Sequence, residues 1–111
     1  MYIQMKMKIY FIRHGEAEIY AEDDFKRKLT TIGRVKLENS FKAFANRLED
    51  KRSYKIYSSP LERAKETAEI LARHLDLKYE VKDYLAGGRI DDILRTLDED
   101  KNYIFISRNS H

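Results

Sequence analysis

The chain has 111 residues and no cysteine, which excludes a disulfide framework and a thiolate metal site. Lys and Arg number 22 against 19 Asp and Glu, and because the two signs alternate without building a basic stripe, nucleic-acid binding has little support. This length predicts one domain over residues 1–111. No apolar run is long enough to span a membrane or to act as a signal peptide, so we expect a cytoplasmic protein.

The first predicted element is a strand that runs into a polar turn. Residues 9–12 form a short apolar run of β-favouring residues, which is typical of a strand buried on both faces of a parallel sheet. Arg13, His14 and Gly15 follow directly. We therefore expect Arg13 and His14 at the carboxyl end of this strand, where open α/β sheets bind ligands.

The Arg13–His14 pair suits phosphate chemistry. A neutral imidazole is a nucleophile, and a guanidinium can hold an oxyanion with two parallel hydrogen bonds. The charge of Arg13 would also lower the pKa of His14 and keep its ring nitrogen able to attack. Taken alone, the tripeptide that ends in Gly15 is more typical of a solvated loop after a strand than of a catalytic turn.

Residues 19–28 are highly charged and show no period, which predicts a mobile loop over the site. Its acidic residues Glu22, Asp23 and Asp24 suggest a metal site, but no histidine stands at ligand spacing, so a solvated loop is the favoured interpretation. Residues 29–33 then lead into a helix. The apolar residues of this helix are spaced at the helical period and so lie on one face: Leu37, Phe41, Phe44, Ala45 and Leu48.

Residues 54–57 predict a second strand, and a helix start follows it. Ser59 fits the N-cap, Pro60 the first helical position and Glu62 the capping box. The predicted buried face of this helix consists of Leu61, Ala64, Ala68, Leu71, Ala72 and Leu75. His74 lies in the last turn, where its partial charge suits the helix dipole, and we assign it no catalytic role.

Arg63 does not fit this helix start. A cation in the first turn interacts unfavourably with the helix dipole, which destabilises the helix by up to about 1 kcal/mol. A residue that is unfavourable for its own helix, with no local compensation, is often there for a functional reason. A surface ion pair of Arg63 with Glu62 or Glu66 is an equally good interpretation of the sequence.

The last predicted elements complete an alternating pattern. Residues 78–81 predict a short strand near a sheet edge, and Gly87 with Gly88 predicts a break. The apolar residues of the short amphipathic helix that follows are Ile90, Ile93, Leu94 and Leu97, and residues 103–106 predict an interior strand. Because strands and helices alternate, we expect an α/β fold with a parallel sheet.

Four blocks together resemble the histidine phosphatase superfamily, which has the phosphoglycerate-mutase-like fold. They are residues 9–18 (IYFIRHGEAE), 29–33 (LTTIG), 56–72 (IYSSPLERAKETAEILA) and 103–107 (YIFIS), in the order that the family has them. The short connections are similar to those of the small phosphohistidine phosphatase (SixA-like) branch. The resemblance implies a three-layer sandwich and a phosphatase without metal or cofactor that acts on a phosphorylated protein or a small phosphate ester.

The resemblance also implies roles for individual residues. His14 would be transiently phosphorylated, and Arg13 and Arg63 would bind the phosphoryl oxygens, with Gly15 and Arg108 as further substrate-binding residues. This role would account for the unfavourable place of Arg63 in its helix, since the guanidinium would be needed at the phosphate.

Two departures from the family pattern leave alternatives open. Where many members place an acidic proton donor, this chain has Tyr84 with Asp83 beside it. Where the family has a second catalytic histidine after its fourth strand, Arg108 follows Ser107, and His111 could take that role only by a shift of register.

The family fold also continues beyond this point, so we expect a truncated form of it with apolar sheet surface left uncovered, and hence a homodimer. A degenerate relative that binds phosphate groups with little turnover is the alternative to an active phosphatase.

Overall fold

The computed structural model describes residues 7–87, 90–95 and 97–107. Strands and helices alternate along most of this part of the chain. The strands are β1 (Ile9–Arg13), β2 (Tyr54–Ser58), β3 (Tyr79–Val81) and β4 (Asn102–Ser107), and the helices are α1 (Thr31–Arg47), α2 (Glu62–Leu75), α3 (Tyr84–Gly87) and α4 (Ile90–Leu94). Single 3₁₀ turns lie at Asp24–Lys26 and Lys51–Ser53.

The four strands form one parallel sheet in the order β1-β4-β2-β3, which confirms the predicted α/β fold. β4 lies in the interior and β3 at an edge, as the sequence predicted. The register pairs Arg13 of β1 with Ser107 of β4, and Ser58 of β2 with Ile106 of β4. The carboxyl ends of these three strands therefore lie side by side.

The prediction that β1 is buried on both faces is wrong. β1 is the other edge strand of the described sheet, and the side chain of Phe11 is 48% exposed. Phe11 stacks on Phe105 of β4 with ring centroids 5.4 Å apart. An apolar run in the sequence predicts a strand, but it does not show whether that strand has neighbours on both sides in the sheet.

Alternate residues of the strands supply two apolar clusters, one on each face of the sheet. Ile56, Ile104 and Ile106 pack with α1 and α2 on one face. The cluster on the opposite face is formed by Tyr57, Leu85, Ile93, Tyr103 and Phe105. Because α3 and α4 supply Leu85 and Ile93, helices cover both faces and the fold has three layers, as expected.

Helix α1 starts at Thr31, within the segment 29–33 that the sequence predicted to lead into it. The hydroxyl of Thr30 accepts the Gly33 N–H at 2.9 Å and caps the helix. A Cβ at Gly33 would lie 2.5 Å from the carbonyl oxygen of Glu16, so only glycine lets the start of α1 lie against the segment that follows β1. On its predicted apolar face Phe41 and Ala45 are buried.

Helix α2 starts later than predicted, and Ser59 is not its N-cap. The helix begins at Glu62 with Leu61 as N-cap and no capping side chain. Ser59 is fully buried, and its N–H donates to the carbonyl of Ile106 at 2.9 Å. The pairing with β4 thus continues one residue past β2, which displaces the helix start and makes the Pro60 and capping-box predictions wrong as well. The predicted apolar face of α2 is buried throughout.

The last predicted helix is shorter than expected, since its apolar pattern extended to Leu97. α4 ends at Leu94, whose side chain is 57% exposed, so placing Leu94 on the buried face is wrong. Ile93 is buried, and Leu97 packs partly against the same cluster. Of the predicted glycine break, Gly87 ends α3 and Gly88 lies outside the described residues.

Candidate active site

The candidate site lies at the carboxyl ends of β1 and β4. His14 directly follows β1, and its N–H donates to the carbonyl of Ser107 at 3.2 Å. His14 is therefore at the end of the sheet where the sequence predicted it. The side chain of Arg13 is exposed at the same edge.

The ring of His14 is oriented by two contacts. Its Nδ1 lies 2.8 Å from the carbonyl oxygen of Gly15, and because a carbonyl only accepts, Nδ1 carries the hydrogen. Nε2 accepts the Nε–H of Arg63 at 3.2 Å. In the neutral ring the lone pair is thus on Nε2, which is the nitrogen that could attack an electrophile.

Arg63 lies inside the site and not on the surface. Only 2% of its side chain is exposed, and its Nη1 and Nη2 donate to the backbone oxygen of Asp24 at 2.7 Å and to Oδ2 of Asp24 at 3.3 Å. The surface ion pair with Glu62 or Glu66 is wrong, since Glu62 pairs with Lys65 and Glu66 with Arg34. The tertiary partners of Arg63 offset the unfavourable dipole at the start of α2.

The pKa of His14 is lowered from its ordinary value of 6.5. Burial is the largest cause, and the hydrogen bond with Gly15 opposes it in part. The positive charges of Arg63, Arg13 and Arg27 lower it further, in that order. The direction expected from Arg13 is correct, but burial and Arg63 contribute more, so the ring is neutral at physiological pH.

The segment predicted as a mobile loop has a defined structure over the site. The Glu18 N–H donates to the carbonyl of Lys28 at 2.8 Å and closes its base. Asp23 caps the turn at Asp24–Lys26 by accepting the N–H of Phe25 at 3.0 Å. The acidic residues thus include a turn cap and, in Asp24, a partner for arginine. Among the described residues, no group of three or more His, Asp or Glu side chains could hold a metal ion.

Arg27 is a site residue that the sequence reasoning missed. Its Nη1 donates to Oδ1 of Asp24 at 2.9 Å, and its Nε donates to the carbonyl of Glu18 at 2.8 Å. Nothing in the local sequence distinguishes it from Lys26 and Lys28 beside it, because a loop without a period does not show which cation turns inward.

Thr67 was also missed, and it connects α2 to the turn after β1. Its fully buried hydroxyl accepts the Gly15 N–H at 3.1 Å and donates to the carbonyl of Arg63 at 2.7 Å. A Cβ at Gly15 would lie 2.7 Å from a terminal methyl of Leu37, so a larger residue there would displace the Leu37 side chain. Through Thr67, the backbone beside His14 and the helix that carries Arg63 are held in a fixed relation.

The remaining predicted residues are the two candidate proton donors and the two basic residues that follow β4. Asp83 is exposed, and Tyr84 packs partly against the apolar cluster around Tyr57. Arg108 and His111 lie outside the described residues.

Comparison with known proteins identifies the family. The sequence profile of the histidine phosphatase superfamily (branch 1) matches residues 9–94, and the chain belongs to this superfamily. PGAM5, a mitochondrial serine/threonine-protein phosphatase of Xenopus laevis, is 35% identical over 81 residues, which are 72% of this chain and 29% of that protein. The chain therefore spans under a third of the length of this relative.

Solved structures show the same fold. A protein assigned as the phosphohistidine phosphatase SixA from Agrobacterium tumefaciens matches with a TM-score of 0.79 at 23% identity, over 96% of this chain and 71% of that one. The protein histidine phosphatase SixA complexed with tungstate matches with a TM-score of 0.69 at 28% identity, over 91% of this chain and 69% of that one. The expected phosphoglycerate-mutase-like fold is thus confirmed.

Proposed function

We propose that this domain is a phosphatase that needs no metal ion and in which Nε2 of His14 accepts the phosphoryl group. The observation that carries the proposal is the contact between Nε2 of His14 and the buried guanidinium of Arg63 at the carboxyl edge of the sheet. Membership of the superfamily supports it. So does the similarity to a SixA protein that was solved with tungstate, since tungstate is an oxyanion of similar shape and charge to phosphate.

The reaction has two steps. Nε2 of His14 attacks phosphorus, so that an N–P bond forms while the bond from phosphorus to the leaving group breaks. Water then cleaves the N–P bond, which releases inorganic phosphate and restores the ring. Arg13 and Arg63 bind the phosphoryl oxygens and stabilise the charge that develops on them.

The favoured substrates are phosphohistidine in a protein and small phosphate esters. An imidazole leaving group needs less help from an acid than an alkoxide does, which fits a site whose only predicted proton donors are Asp83 and Tyr84. Asp83 is exposed, and Tyr84 packs partly into an apolar cluster.

We place the protein in the cytoplasm on its composition. The described residues include no helix that is both long and apolar enough to cross a membrane.

The second candidate function is phosphate binding with little turnover. It follows from Arg108, which stands where the resemblance expects a second histidine. An arginine there would bind the anion but could not move a proton, so proton-dependent steps would slow by roughly 10²- to 10⁴-fold. An Arg108→His variant that releases phosphate much faster than the parent would favour this reading. No gain from that change, with a parent that is already fast, would point to His111 or another group.

We also propose a homodimer, but through another surface than the sequence suggested. The residues of β4 from Tyr103 to Ser107 are buried, so the uncovered apolar surface is not there. Exposed apolar residues lie instead on the two edge strands, Phe11 on β1 and Val81 on β3, and Phe11 is the larger and more exposed of the two. Exposed edges and apolar patches favour association. Sedimentation at high micromolar concentration should show a dimer that is weakened by Phe11→Ser, and a clean monomer would contradict it.

The function is tested by hydrolysis of an aryl phosphate in the presence of a chelator. We expect turnover, together with an acid-labile phosphate on the protein that can be trapped by rapid quenching. Both should be lost in His14→Ala and retained in His74→Ala, which removes a histidine at the opposite end of α2. Equal turnover by His14→Ala and the parent would show that the nucleophile is another group.

A further inference from the structure

The carboxylate of Asp24 lies between two guanidinium groups. Its Oδ1 accepts Nη1 of Arg27 at 2.9 Å, and its Oδ2 accepts Nη2 of Arg63 at 3.3 Å. The backbone oxygen of the same residue accepts Nη1 of Arg63 at 2.7 Å. One residue of the segment over the site therefore holds both cations, through its side chain and its backbone.

These contacts determine the direction of the Arg63 guanidinium. The group is planar and rigid, so holding Nη1 and Nη2 also fixes where the Nε–H points. That N–H points at Nε2 of His14 at 3.2 Å. A guanidinium has five N–H groups, and the hydrogen bonds of Arg63 in the described part of the chain use three of them, which leaves two that can donate to an anion.

The same carboxylate also fixes Arg27. Arg27 is held at two points, by Oδ1 of Asp24 and by the carbonyl of Glu18. Its charge is the last of the three arginine charges that lower the pKa of His14. Without Asp24 the buried Arg63 would lose its carboxylate partner, and Arg27 would lose one of its two supports.

We propose that Asp24 is a positioning residue that aligns Arg63 beside Nε2 of His14, holds Arg27 on the same carboxylate, and thereby sets both the oxyanion affinity and the rate of phosphoryl transfer. This inference rests on the proposed function. The opposite role is that of a competitor, since a carboxylate bound to Arg63 would compete with a phosphoryl group for the same cation. The two roles predict opposite effects on anion affinity when the carboxylate is removed.

The test compares Asp24→Ala and Asp24→Asn with Asp23→Ala. Asp23→Ala removes the cap on the Phe25 N–H but leaves both arginine contacts, so it controls for loosening of the turn itself. We expect Asp24→Ala to bind orthovanadate more weakly and to lower turnover by roughly 10- to 100-fold, because small misplacements of catalytic groups have effects of this size. Asp24→Asn keeps one acceptor oxygen and should fall between, while Asp23→Ala should stay near the parent.

A second readout does not depend on turnover. The pKa of His14, followed by NMR, is subject to the charges of Arg63, Arg13 and Arg27 and to the hydrogen bond with Gly15. Removing the negative charge of Asp24 alone would lower this pKa further. Release of the Arg63 guanidinium from the ring would raise it, so positioning predicts a higher pKa of His14 in Asp24→Ala than in Asp24→Asn, which loses the same charge. Thermal unfolding of each variant shows whether the fold is retained.

The outcomes separate the two claims. A parent that neither binds orthovanadate nor hydrolyses an aryl phosphate overturns the proposed function, while the direction of the His14 pKa change still tests Asp24. Tighter orthovanadate binding by Asp24→Ala overturns the positioning role and makes Asp24 a competitor for Arg63. A His14 pKa that is no higher in Asp24→Ala than in Asp24→Asn, which loses the same charge, also overturns the positioning role.

Discussion

The two ends of helix α2 carry the same kinds of side chain in different surroundings. At its start, Arg63 meets His14 and the carboxylate of Asp24. At its end, Arg73 and His74 meet the carboxylate of Glu38 on α1, with His74 Nε2 and Glu38 Oε1 2.8 Å apart. Each end thus combines a histidine, an arginine and an acid.

Burial and the balance of charge distinguish the two ends. Arg63 is 2% exposed, whereas the side chains of Arg73 and Glu38 are 61% and 43% exposed. Three arginines act on His14, and water screens the charges at the other end. The first cluster can therefore hold a neutral nucleophile and bind an anion. The second fits an ion pair between two helices.

The largest expected difference between the ends is in anion binding. At about 100 times its dissociation constant, phosphate should add about 2.7 kcal/mol to the free energy of unfolding of the parent. Arg63→Ala should abolish this protection, measured by thermal unfolding, and lower turnover by roughly 10²- to 10³-fold, the usual effect of losing one stabilising donor. Arg63→Lys, which keeps the charge but loses the planar fork, should also bind phosphate poorly.

Arg73→Ala is the matched control for this comparison, since it removes an arginine from the other end of the same helix. It should keep the full protection by phosphate. Equal protection of Arg63→Ala and Arg73→Ala would place the anion site elsewhere.

The next largest effect is expected from Thr67, which connects α2 to the turn at Gly15. Thr67→Val keeps the shape but leaves the Gly15 N–H without its acceptor, which should cost about 1–3 kcal/mol of stability and reduce turnover. Thr67→Ser restores the hydroxyl and should recover most of both. Denaturant unfolding and turnover of the two variants measure this, and a Thr67→Val protein as active as Thr67→Ser would show that the contact is dispensable.

A smaller effect is expected in the pH dependence of turnover. In the proposed reaction only the neutral ring of His14 attacks, and since its pKa lies below 6.5, the acid side of the kcat/KM profile should fall below that pH. Arg13→Ala removes a positive charge that lowers the pKa of His14. The ring should then protonate at a higher pH, and the acid limb of the kcat/KM profile should shift to higher pH. Arg73→Ala should leave the profile in place, and an unchanged profile for Arg13→Ala would argue against the electrostatic role of Arg13.

The smallest effect is expected at the far end of α2. Hydrogen bonding with His74, followed by the charge of Arg73, lowers the pKa of Glu38 from its ordinary value of 4.5. A lowered carboxyl pKa stabilises the fold above about that pH, and the contribution is lost as pH falls through the folded-state pKa. Glu38→Gln should therefore reduce stability by at most about 1 kcal/mol at pH 7, as for exposed pairs, with the difference from the parent vanishing in acid. A constant difference from pH 7 to pH 3 would contradict this.

Local patterns in the sequence were sufficient for most elements of the fold, although the short helix α3 was not predicted. The spacing of apolar residues placed α1, α2 and the strands within a few residues, because a buried face must repeat with the period of its element. The polar turn at Arg13 and His14 followed from the end of the first apolar run. Local patterns were not sufficient where long-range pairing decides, as in the extra residue of pairing at Ser59 and the edge position of β1.

The sequence by itself determined the candidate nucleophile and two of the three arginines that lower its pKa. His14, Arg13 and Arg63 were each singled out by their place in an element. Their contact, the inward turn of Arg27, the carboxylate of Asp24 between two arginines and the link through Thr67 join residues up to 52 positions apart. Only the tertiary structure decided these, because a side chain's hydrogen-bond partner depends on which segments the sheet brings together and not on its neighbours in the chain.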